Sequence, residues 1–250
     1  MPNSDFREVR MPKAGLWRAG RWADVDRFPP PPRSIQSAIW SPGAPLLDGY
    51  RWEDAFGRFS TAKFSASDEA AVGRTLARYR GRETGGVSIL DKIKGFLTSP
   101  PDSPTEPELT FNEIPESYFE DAYLLHLDYD EEVRFIDVEH QRTRNTLAAI
   151  LSGPLGSMGH DLSQGLSGQR DRRLTRLVTA TLHDICSGLP LDHVAGLRYK
   201  APDKHWDAFV LWDSPARIDL SQAQSVKPLF PDNAAVQNAA KTLGLKSPKA

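Results

Sequence analysis

Cysteine is nearly absent from this chain: Cys186 is the only one in 250 residues, which excludes a disulfide within the chain and fits a reducing compartment. Cys186 falls inside an apolar helical pattern and reads as an inert core thiol, with a nucleophile as the rarer alternative. Long apolar runs are missing too. None approaches the roughly 18 residues that cross a bilayer, and the opening MPNSDFREVRMPKAG lacks the hydrophobic core of a signal peptide. A cytoplasmic protein without membrane attachment is expected. Nor is there an excess of one charge: 31 Lys and Arg against 33 Asp and Glu leave a net charge of −2, so no global field calls for nucleic acid or an anionic membrane. The histidines His126, His140, His160, His183, His193 and His205 show no ligand pairing on one face, and no metal site is expected.

What is present is the composition of one folded domain, with 39% apolar and 26% charged residues. Residues 1–13 are polar and read as a flexible N-terminus. The domain is expected over 14–245, with 246–250 as a tail. Proline crowds residues 28–33, FPPPPR, into a stiff polyproline connector, and 99–107, SPPDSPTEP, has the composition of an exposed linker loop. Residues 87–97 carry a short helical stripe of Ile89, Ile93 and Phe96.

Extended runs are predicted at Leu16–Ala19, Phe59–Phe64, Ala122–Leu127, Val133–Val138, Val194–Lys200 and Trp206–Trp212. The Val133–Val138 run is apolar on both sides, as in a covered central strand. Helices are predicted from Ser67, across Arg170–Ser187, and after Asp232 up to Gly244. Ser67 is the N-cap of the first, Asp68 and Glu69 favour its positive end, and Val72, Leu76 and Tyr79 form its buried face. Arg74 and Arg78 share a neighbouring face, where dipole partners on a solvated surface are the ordinary explanation. His183 near the end of the second helix is read the same way. Gly153–Gly168, GPLGSMGHDLSQGLSG, reads as a flexible loop; its glycines lack the strand-turn-helix frame of a phosphate cradle.

Separated segments, in matched order from about Leu16 to Leu245, resemble the RES domain, a family of bacterial NAD-degrading toxins named for an Arg, a Glu and a Ser. Leu16-Trp17-Arg18 resembles its opening Leu-(Tyr/Trp)-Arg. Arg51-Trp52-Glu53-Asp54 resembles its Arg-aromatic-Asp-Asp turn, and Leu76-Ala77-Arg78-Tyr79-Arg80 the end of its glutamate-bearing helix. Ile114-Pro115-Glu116-Ser117-Tyr118 and Phe135-Ile136-Asp137-Val138 follow the family's Ile-Pro-Glu-x-Tyr and strand-ending Asp. Gly196-Leu197-Arg198-Tyr199 resembles the strand that carries the family serine. The resemblance implies an α/β (α+β) domain of the ADP-ribosyltransferase-like type, its bent central mixed sheet flanked by helices. It also implies cleavage of the nicotinamide–ribose bond of NAD or ADP-ribosyl transfer, with an antitoxin-like protein as a partner of the kind such toxins have.

Three pocket positions depart from the family. Its strand tyrosine falls on Lys63, its helix glutamate on Arg74 and its serine on Ala201, and the aspartate of the last motif falls on Ala195. A guanidinium cannot stabilise an oxocarbenium-like state, and losing such a group costs on the order of 10²–10³-fold in rate. Glu53, Asp54 and Glu83 are the candidates for a relocated carboxylate. Arg18, Arg51, Lys63, Arg74 and Tyr199 are expected to line one anion-binding cleft for NAD or a related nucleotide. Two readings stand side by side: an NAD glycohydrolase, phosphorylase or ADP-ribosyltransferase with an altered site, and a catalytically inactive RES-fold protein that binds a nucleotide or a protein partner.

Overall fold

The computed structural model describes residues 5–25, 52, 54–56, 58–80, 112–128, 133–163, 165–166, 172–188, 194–201, 206–213 and 225–247. The proline-dense segment, the stripe at 87–97, the linker at 99–107, and the residues Arg51, Glu53, Glu83, His193 and His205 lie outside them.

Strands β1 (Glu8–Arg10), β2 (Leu16–Arg21), β3 (Thr61–Ser65), β4 (Ala122–Leu127), β5 (Arg134–Asp137), β6 (Val194–Lys200), β7 (Asp207–Trp212) and β8 (Ser225–Pro228) form a single mixed sheet in the order β1-β5-β6-β7-β3-β2-β4-β8. Neighbours run antiparallel except β5 and β6. A parallel pair needs a long crossover, here supplied by helices α3 (Gln141–Ile150), α4 (Ser152–Met158) and α5 (Arg172–Gly188). The remaining helices are α1 (Trp22–Val25), α2 (Asp68–Leu76) and α6 (Ala234–Leu243). The expected mixed α/β class is observed. Among the described residues, no helix is long and apolar enough to cross a membrane.

Side chains alternate along a strand, so register assigns each residue to a face. Trp17 pairs with Ser65, Ser65 with Ala208 and Ala208 with Tyr199. This face carries the packing of α2 to α6, while Trp22 of α1 lies against Tyr123 on the other. Trp17, Ala19 and Leu124 meet α2 and α6, while Leu197, Tyr199, Val210 and Trp212 share a cluster with α3, α4 and α5. The opposite face holds a strand-built cluster of Leu16, Phe64, Leu125, Leu127, Phe135 and Phe209, each almost fully buried. Side chains of that size each stabilise the fold by roughly 1.5–3 kcal/mol when fully buried. Cys186 is fully buried in the α5 cluster, as an inert thiol should be.

The sheet has one thin seam. β2 pairs with β4 over all six of its residues, but with β3 only through Trp17 and Ser65. By contrast, β6 and β7 approach so closely that a Cβ on Gly196 would stand 1.8 Å from the Val210 carbonyl oxygen. Only glycine fits there.

Helix α2 begins as its sequence demands. Ser67 Oγ accepts from the Ala70 amide at 3.2 Å, and Val72 and Leu76 are fully buried. Tyr79 lies in a following 3-10 turn, Ala77–Tyr79, and is half-buried. Helix α6 is capped one residue later than expected, by Asn233 Oδ1 on the Ala235 amide at 2.9 Å, and ends on Gly244 at φ 68°.

Three expectations need correction. The N-terminus is ordered from Asp5: β1 pairs with β5, Thr143 Oγ1 accepts from the Arg7 amide at 3.0 Å, and Thr146 Oγ1 donates to the Asp5 carbonyl at 2.9 Å. The polar segment covers an otherwise open sheet edge, which composition does not reveal. The loop expected across Gly153–Gly168 contains α4, because Leu155 and Met158 recur at helical spacing and Pro154 stands in the tolerant first turn. His183 is no surface dipole partner. It stacks on Phe59 at 3.8 Å and meets Trp212 edge-on at 5.4 Å.

Candidate functional site

The thin seam is where α2 delivers Arg74. Nη1 donates to the Phe64 carbonyl at 2.8 Å and to Ser65 Oγ at 3.4 Å, while Nη2 donates to the Tyr199 hydroxyl at 3.3 Å. One guanidinium thus ties α2 to β3 and, across β7, to β6. Helix α2 is held in turn by Gly73, whose missing side chain admits the Trp206 indole. A Cβ there would lie 2.3 Å from the ring.

Register puts Lys63 on the same face, two residues before Ser65 and opposite Val210. Tyr199 is buried and rests against Trp52, with ring centroids 4.9 Å apart. Ala201, at the serine position, is buried two residues beyond Tyr199 on that face. Arg74 and Tyr199 therefore come together, and Lys63 lies on the same face of the sheet.

Arg18 does not join them. It follows Trp17 on β2, so it projects from the strand-built face, with its guanidinium carbon 5.9 Å from the centre of the Phe64 ring. The sheet stands between Arg18 and Arg74. The expectation of one cleft holding both is corrected by strand alternation: Leu16 and Arg18 face one way, Trp17 and Ala19 the other.

Of the carboxylates considered for a relocated catalytic role, Asp54 is described and is already engaged. It is fully buried, its Oδ2 accepts from the Arg58 amide at 2.5 Å and from Arg58 Nε at 3.2 Å, and its Oδ1 accepts from Nη2 at 3.2 Å. Arg58 also reaches Asp184 at 2.8 Å.

Sequence reasoning missed a cavity of about 610 Å³ at the C-terminal end of α2. It is lined by Arg74 and Arg78, by Arg21 at the end of β2, and by the turn 117–121 that leads into β4. Arg78 lies 4.8 Å from the centre of the Tyr79 ring. Burial raises the Tyr118 hydroxyl above its ordinary pKa, against the opposing pull of Thr75 and Arg78. The signal was the four-residue spacing of Arg74 and Arg78, which puts both on one flank of the helix end. Among the described residues, no group of three or more His, Cys, Asp or Glu side chains is placed to hold a metal ion. No family model, curated protein or solved structure matches the chain, and the site stands on its own geometry.

Proposed function

We propose that this protein binds NAD or a related nucleotide pyrophosphate at the Arg74 end of α2 without cleaving it. In this reading it is a RES-like protein, of ADP-ribosyltransferase-like type with a bent sheet, that has lost the family's reaction. The carrying observation is the setting of Arg74. At the position of the family glutamate stands a guanidinium fixed by Phe64, Ser65 and Tyr199. A fixed positive charge there repels a developing oxocarbenium ion and attracts a pyrophosphate. Ala201 supplies no hydroxyl to orient the ribose or its phosphate, and Asp54 has no freedom to replace the glutamate. Lys63 adds a second cation on the same face. Arg18 has no part in this reading, because it projects from the other side of the sheet.

Calorimetry with NAD checks binding, and nicotinamide release over hours checks turnover. The expected result is saturable binding, weakened about tenfold or more by Arg74→Gln, as the loss of a charge-assisted hydrogen bond implies. Release should stay at the rate of the buffer control. Rapid nicotinamide release by the unmodified protein would restore the enzymatic reading, with chemistry carried by another carboxylate.

A further inference from the structure

We infer that the cavity at the end of α2 is a binding site for a phosphate monoester carried on a polyol, the chemistry shared by sugar phosphates and nucleoside monophosphates. At about 610 Å³ it falls within the roughly 300–1,000 Å³ of small-molecule sites. Its polar groups differ in how far the protein has already used them.

Arg74 is partly committed to Phe64, Ser65 and Tyr199. Thr75 is satisfied as well: its hydroxyl donates to the Val72 carbonyl at 2.8 Å, so the contact of 2.6 Å with Tyr118 has the tyrosine as donor. Arg21 and Arg78 are different. Both are exposed, and neither guanidinium makes a hydrogen bond or ion pair among the described residues. Arg78 is nevertheless positioned, lying over Tyr79 and 5.9 Å from the centre of the Tyr118 ring. Stacking fixes the plane of a guanidinium without consuming its N–H donors.

The same cavity also carries the opposite charge, with Asp121 beside Arg21, which pairs with Ala122 in the sheet. Glu120 and Asp121 line the cavity, and among the described residues their one hydrogen bond is from the Trp22 amide to Asp121 Oδ1 at 3.1 Å. On an ordinary solvated surface these carboxylates and guanidinia would pair. Here, among the described residues, they form no ion pair although they line one cavity, which is the arrangement a ligand with two kinds of polar group completes. A phosphate takes the forked donors of Arg21 and Arg78. Vicinal hydroxyls donate to the carboxylates, which are acceptors only. Charge sets the phosphate number. Three guanidinia against two carboxylates leave one positive charge, suited to a monoester of about −1.5 to −2. A triphosphate would press its extra charge on Glu120 and Asp121.

Titration calorimetry of the full chain with ribose 5-phosphate, AMP, ATP, inorganic phosphate and ribose tests this. Ribose 5-phosphate and AMP should bind; a preference for AMP assigns a nucleotide, parity assigns a sugar phosphate. Inorganic phosphate, ribose and ATP should each bind about tenfold more weakly or worse. Arg21→Gln and Arg78→Gln should each weaken the ester about tenfold, with thermal midpoints unchanged. Glu120→Gln with Asp121→Asn should weaken the ester but spare inorganic phosphate. Equal binding by wild type and the double arginine variant, no ester binding at all, or ATP binding more tightly than AMP would overturn the inference. Lys63→Ala separates the two proposals: it should weaken NAD and leave ribose 5-phosphate untouched.

Discussion

Two sets of arginines in this molecule look alike in sequence and differ in what surrounds them. Arg198 and Arg58 are saturated. Arg198 Nη1 meets Asp137 Oδ2 at 2.6 Å and Nη2 meets Asp207 Oδ1 at 2.8 Å, while Arg58 spans Asp54 and Asp184. Burial pushes Asp207 up, but hydrogen bonds from Lys200 and Arg198 outweigh it and hold the carboxyl below its ordinary range. Among the described residues, Arg21 has no partner and Arg78 only aromatic ones, and both line a cavity. The first set ties segments together, and the second ties none among the described residues. A guanidinium becomes available for binding only where the fold withholds a carboxylate from it.

The sharpest way to break this contrast is to remove a saturated arginine. Arg198→Leu strips Asp137 and Asp207 of their shared guanidinium, leaving, among the described residues, the Glu139 amide on Asp137 and Lys200 on Asp207. It should lower unfolding free energy by about 3 kcal/mol, the low end of the range for breaking a buried pair, because these side chains are partly exposed. Urea denaturation measures it. Arg58→Ala should cost about 2 kcal/mol by the same assay: Asp54 is fully buried, but it keeps its bond from the residue 58 amide. Arg74→Met should cost about 1–2 kcal/mol, for the donors lost at Phe64 and Tyr199. At the small end, Arg21→Gln and Arg78→Gln should stay within about 0.5 kcal/mol of wild type. A loss from either comparable to Arg198→Leu would erase the distinction.

A pH series sharpens the contrast from another side. Burial lowers the pKa of His183, with Asp184 opposing and Arg58 reinforcing the shift. The folded protein therefore binds a proton there less readily than the unfolded chain does. Well above pH 6.5 both states are neutral and the residue adds no pH dependence. As pH falls below that value the unfolded chain protonates first, so stability falls until the folded pKa is passed. His183→Phe should flatten that limb of the urea midpoint against pH.

Much of the frame was legible in the chain. Val194–Lys200 was read to the residue because an apolar run ends at the turn sequence Pro-Asp-Lys-His, and Ser67 was read as a cap because its hydroxyl precedes two acids. Helix α3 escaped notice: Thr143 and Leu147 are its only buried residues, and His140 Nδ1 is an unusual cap, accepting from the Arg142 amide at 3.2 Å. The site was half legible. Strand alternation in Leu16-Trp17-Arg18 shows that Arg18 and Trp17 point apart, but which face receives α2 is decided by packing far along the chain. The cavity was hidden for a similar reason, since Arg21, Arg78 and Glu120 converge only when β2, α2 and the turn before β4 assemble.

The indole seated on Gly73 has a kinetic consequence. Trp206 stands at the entrance to β7 and occupies the groove of α2 one residue before Arg74. The helix cannot turn about its axis or slide by a residue unless the ring first withdraws, and the ring moves with the β6–β7 hairpin. Opening of α2 is thus tied to opening of that hairpin. In native-state hydrogen exchange, the amides of Val72–Leu76 and of Phe209–Leu211 should open with one shared free energy, as a single unit. Trp206→Ala should split that unit in two, letting the helix exchange early while the strands hold.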